Sequence, residues 1–117
     1  MRIILAAALF VAMTQPALCG PVTDFLKLHD EPLGREQTET ELMGVQSGFN
    51  AANAYLTGTL QQAPMYCLPQ MLSLTADQLV DLLRQGVKEE PALDQEEVPS
   101  ALLEVLRHSF PCASRTR

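Results

Sequence analysis

The sequence has no histidine and cysteine cluster at metal-ligand spacing, no nucleophile elbow and no glycine-rich phosphate loop. The usual signatures of metal-dependent hydrolysis, acyl transfer and nucleotide binding are therefore missing, and no cofactor is expected. It is short of basic residues, with 8 against 14 acidic ones and a formal net charge of −6. That balance is wrong for nucleic-acid backbones and anionic membrane surfaces; a basic partner is the better electrostatic match, and solubility alone also accounts for such a charge. No segment alternates apolar and polar residues as a half-buried strand would. The longest apolar, alanine-rich run, from Ile3 to Met13, is too short to cross a bilayer. Cysteine occurs only at Cys19, Cys67 and Cys112.

What is present begins with a leader. Arg2, the apolar run and the small and polar residues of Thr14 to Gly20 read as a secretory signal peptide. Ala17 and Cys19 put small side chains at −3 and −1, so residues 1–19 are expected to be removed and 20–117 to form one domain. A lipid anchor on Cys19 is the alternative, and the bulky Leu18 before it argues against that processing. Loss of Arg2 takes the charge to 7 − 14 = −7. Export would leave Cys67 and Cys112 as an even pair in an oxidising compartment, where they are expected to bond. Closing the intervening loop stabilises a chain by about 4 kcal/mol if no strain is introduced.

Helical periodicity fills the rest. Phe25, Leu26 and Leu28 suggest a short first helix that ends at Pro32-Leu33-Gly34, with His29 on its surface. From about Thr38 to Leu60, steps of three and four through Leu42, Val45, Phe49, Ala52 and Leu56 predict one face of a long helix. Gly44, Gly48 and Ala52 add a small residue at every fourth position, which favours close helix packing within the chain or across a two-fold interface. Pro64 closes the following connection, and Cys67-Leu68-Pro69 reads as an extended, anchored turn. Thr75 and Gln78 form a capping box, Leu74 and Leu79 a hydrophobic staple, and Leu79, Leu83 and Val87 the buried stripe of a third helix. Asp77 and Asp81 share a face of it and read as solvated. Residues 89–97 interrupt the pattern with Pro91 and with a single apolar residue, Leu93, between acidic clusters. The last helix either is capped near Asp94 and Glu97 or begins with Pro99, and its face is Ala101, Leu102, Val105, Leu106 and Phe110. His108 sits near its C-terminus, where partial positive charge is favourable. The expected fold is thus all-α: a small four-helix domain after a cleaved signal peptide, with one disulfide.

The order Tyr55-Leu56-x-Gly58, Cys67-Leu68-Pro69, Thr75-x-x-Gln78-Leu79, an acidic proline-containing connection, Ala101-Leu102 and Phe110-Pro111-Cys112 resembles the Rap/Tai family of type VI secretion amidase immunity proteins, over residues 42–112. The resemblance implies a small non-enzyme, exported to the periplasm, that binds and blocks a peptidoglycan amidase effector, often as a homodimer. Many relatives carry two further cysteines at places that look like His29 and Ala52 here, and a histidine that often precedes the connection's proline is Glu90 here. The implied mechanism is occlusion, in which a loop of a rigid helical body fills the effector's active-site groove through a few anchors. The connection supplies the candidate contacts Lys88, Glu89, Glu90, Pro91, Leu93 and Asp94, with Leu93 as the expected apolar anchor. Two other functions fit the composition: a periplasmic acid-stress chaperone of the HdeA type, and an envelope protein of the same family without a toxin partner.

Overall fold

The computed structural model describes residues 20–113; the expected signal peptide lies outside them. Four α-helices and one 3-10 helix follow in order: α1 Val22–Asp30, α2 Arg35–Gly58, α3 Ala76–Glu89, the 3-10 helix Pro91–Gln95 and α4 Val98–Ser109. Among the described residues there is no strand, only an isolated antiparallel bridge between Pro21 and Glu97. The capping box at α3 forms as the sequence predicts: Gln78 N donates to Thr75 Oγ1 at 3.2 Å and Thr75 N to Gln78 Oε1 at 2.9 Å. At α4 neither expected start holds as stated, because the helix begins at Val98, one residue before Pro99. Glu97 is the N-cap residue without a side-chain cap bond, and Pro99 lies in the first turn, where its missing N–H leaves no helical bond unmade.

Leu79, Leu83, Leu102 and Leu106 from the stripes of α3 and α4 meet Val22 and Phe25 of α1, Leu42 of α2, and Val98 in one core. The α2 face departs from expectation. Leu42 is fully buried and Val45, Phe49, Ala52 and Leu56 partly so, but the helix stops at Gly58, so Leu60 lies beyond it and is 45% exposed. The small-residue stripe makes no close packing inside the chain either, since a Cβ added to Gly44 or Gly48 would meet nothing within 4 Å.

The glycine that does permit close approach is Gly86, where an added Cβ would collide with Val105 Cγ1 and touch Leu93 Cδ1 at 3.4 Å. Helix propensity favours alanine over glycine by about 1 kcal/mol, whereas overpacking costs about 1–3 kcal/mol. Gly86→Ala is therefore expected to lower the thermal midpoint, and Val105→Ala in the same chain to recover most of the loss relative to Val105→Ala alone. Additive effects in the double variant would remove this contact from the account.

Cys67 and Cys112 are bonded, with Cα atoms 4.9 Å apart across a sequence separation of 45, and Cys67 N donates to Phe110 O at 2.9 Å. The preceding residues are anchored on α2. Buried Tyr66 donates its hydroxyl to Asn50 Oδ1 at 3.0 Å; Asn53 Oδ1 accepts from Met65 N at 2.7 Å and Asn53 Nδ2 donates to Tyr66 O at 3.3 Å. Burial also pushes the Tyr66 phenol pKa up. The disulfide and these bonds join α2, the approach to α3 and the end of α4.

Candidate partner-binding surface

The connection between α3 and α4 is a pinned element. Pro91 opens the 3-10 helix, Leu93 N donates to Glu90 O and Glu96 N to Leu93 O, each at 3.1 Å. The start of α1 clasps its far side: Val22 N donates to Glu96 O at 2.9 Å and Val98 N to Gly20 O at 3.4 Å. Fixing the backbone this way lowers the entropy that a partner would otherwise have to remove on binding.

The structure corrects the role expected for Leu93. Its side chain is 3% exposed and belongs to the core beside Gly86, so it does not project from the surface as an anchor would. A lone apolar residue among acids is the inward-facing residue of a turn whose other side chains face water. Lys88, Glu89, Glu90 and Pro91 are exposed and Asp94 half-buried, so the remaining five candidates lie at or near the surface of one segment. Beside it a cavity of about 260 Å³ opens between α3 and α4, lined by apolar Leu82, Gly86, Leu93 and Val105 and by Glu89, Glu90, Glu104 and His108. Gln85 Nε2 donates to Glu89 Oε1 at 2.8 Å, and His108 Nε2 lies 3.7 Å from Glu89 Oε2. Such exposed pairs contribute at most about 1 kcal/mol and leave the rim free to rearrange.

Sequence reasoning missed three features. Met71 is fully exposed with φ 68°, in a turn closed by Leu72 N donating to Pro69 O at 3.1 Å. Its place, third in the turn, is one where positive φ favours glycine, and the segment offers no glycine to signal it. Tyr66 with Asn50 and Asn53 was invisible because the three residues carry no shared period. His29, expected on the surface, is instead 4% exposed, with Nδ1 2.9 Å from Thr38 Oγ1. Position 29 thus packs at the start of α2, about 21 Å from Ala52 at the helical rise per residue, and the two places are not neighbours.

The fold and this surface define a class: a small, disulfide-closed four-helix protein with an acidic, rigid connection on one side. A family model described as Rap1a immunity proteins matches residues 15–112, and the chain belongs to that family. No curated protein and no solved structure matches it. An immunity protein acts by binding a cognate effector protein, and among the described residues no helix is long and apolar enough to cross a membrane.

Proposed function

We propose that the protein is a periplasmic immunity factor that binds a type VI secretion effector of the peptidoglycan amidase class and occludes its active site. The family match over residues 15–112 carries the reading. The pinned connection supports it physically: Glu89, Glu90 and Asp94 set negative charge on a rigid ridge, with Lys88 and Pro91 beside them, while Leu93 holds the ridge from inside. Charge on a partner-facing rim controls the approach and the fit of a basic surface more than the stability of the inhibitor itself. The open face of α2 around Gly44 and Gly48 is the surface we assign to a homodimer, with each copy presenting the same patch.

The acid-chaperone alternative finds no trigger in Glu41, whose Oε1 is buried without a hydrogen-bond partner and whose pKa burial raises. A carboxyl with its folded pKa above the unfolded value adds stability that is full at low pH and lost as pH rises through the folded pKa. Acid therefore relieves this group instead of opening the fold around it.

The test is inhibition of the amidase encoded beside this protein. The native protein should abolish cleavage at pH 7 at a fixed stoichiometry. A Glu89→Lys, Glu90→Lys, Asp94→Lys variant should inhibit at least tenfold more weakly with unchanged helical content. Light scattering of the same samples should give twice the chain mass. Full inhibition by the triple variant would move the contact elsewhere, and the absence of any amidase binding would end the reading.

A further inference from the structure

His29, Glu39 and Asp77 come from α1, α2 and α3, separated in sequence by 39 − 29 = 10 and 77 − 39 = 38 residues. A ring nitrogen of His29 and a carboxylate oxygen of each acid lie within 4.8 Å of one another. The state of the ring follows from its neighbour. Thr38 Oγ1, 2.9 Å from His29 Nδ1, is also 3.0 Å from Gly34 O and 2.8 Å from Arg35 O. Carbonyl oxygens only accept, so with the hydroxyl hydrogen directed at either of them the hydrogen between Thr38 and the ring is carried by Nδ1, the tautomer on which the site below rests. In the neutral imidazole, Nε2 is then the lone-pair nitrogen. A ring held through Nδ1–H to a fixed oxygen is the arrangement that orients histidine for a metal ion.

Arg84 of α3 is paired with Asp30 of α1 at 2.6 Å, and among the described residues neither Glu39 nor Asp77 forms an ion pair. His29 is buried, Glu39 half-buried and Asp77 exposed, so one ligand is rigid and two can adjust.

We propose that His29, Glu39 and Asp77 form a zinc site, with Nε2 and one oxygen from each carboxylate as protein ligands and water completing the coordination. One imidazole with two carboxylates suits a borderline divalent ion better than magnesium or calcium, which take oxygen ligands. Zinc bonds of roughly 2.0–2.2 Å require donor atoms roughly 3.3 Å apart, a closure that the two less buried acids can make around the fixed ring. The two negative charges balance the ion. Bound zinc would tie the end of α1 and the starts of α2 and α3 together, away from the acidic connection, and the proposal is independent of which effector the protein binds.

Calorimetric titration of the chelator-treated, disulfide-bonded protein with zinc chloride tests it. One zinc per chain should bind with a dissociation constant of about 10 μM or tighter, and the thermal midpoint should rise with zinc until the site is saturated. Asp77→Asn and Glu39→Gln should each weaken binding at least tenfold. Asp77→Asn leaves the Thr75–Gln78 cap intact, so its helical content and chelated midpoint should match the native protein. Thr38→Val should weaken binding as well, by freeing the ring. No binding at 1 mM zinc, native affinity in both carboxylate variants, or magnesium binding as tightly as zinc would each overturn the proposal.

Discussion

Leu93→Asp should abolish cooperative folding, not merely weaken binding to an effector. The leucine is 3% exposed, lies 3.4 Å from where a Cβ on Gly86 would stand, and forms part of the packing that holds the connection to α3. Truncating a buried leucine to alanine costs about 2–5 kcal/mol, and a carboxylate without a partner adds a desolvation penalty of several kcal/mol more. Against a total stability of about 5–15 kcal/mol for a domain, the sum leaves little or no folded protein. Circular dichroism at 25 °C should show lost helix and no thermal transition for Leu93→Asp. Urea unfolding of Leu93→Ala should show a midpoint lowered by an amount equal to about 2–5 kcal/mol. Asp94→Lys, one residue on and half-buried at the surface, is the control and should melt within a few degrees of the native protein. A native midpoint in Leu93→Asp would mean that the side chain swings out, and would restore it as a partner anchor.

The same residue shows where sequence reading succeeds and fails. The α3 stripe was legible because period and capping agree, with Thr75 and Gln78 specifying a start and Leu79 and Leu83 a face, whereas α4 was legible by period alone, through Leu102 and Leu106. Connections carry no period, so a single leucine among acids reads equally as an exposed anchor or as an inward prop. Only the backbone bonds from Val22 and Glu96 show which way the segment is held. The long α2 misleads for the opposite reason. Its stripe reads on to Leu60, but the helix ends at Gly58, so periodicity predicts burial for a residue that lies beyond the helix and is exposed. His29 is a third case, because its partner Thr38 lies on the next helix and the nearby Glu39 and Asp77 are brought to it by the crossing of three helices, with no periodic spacing to signal it.

Reduction of the disulfide should have the other large effect. The chain-entropy model gives about 4 kcal/mol for a closed loop of this length, which for a domain of about 100 residues lowers the thermal midpoint by about 15–30 °C. The structure explains why packing would not replace it. Tyr66, through Asn50 and Asn53, fixes the approach to Cys67 on α2, while Cys112 follows the end of α4. α2 and α4 barely touch directly, so the covalent bond and the single backbone bond from Cys67 N to Phe110 O are what join these regions at that end. With the disulfide open, Phe110 to Cys112 can fray from α4 and the long, partly uncovered α2 loses its far anchor. The helices of the α3–α4 core should outlast both, because Leu79, Leu83, Leu102 and Leu106 do not depend on the bond. A Cys67→Ser, Cys112→Ser variant should melt with the reduced native protein and be insensitive to reductant. Thiol labelling under denaturing, non-reducing conditions should find neither Cys67 nor Cys112 free in the native protein. Two reactive thiols at those positions, or a serine variant that melts with the untreated native protein, would show that the bond does not hold the fold.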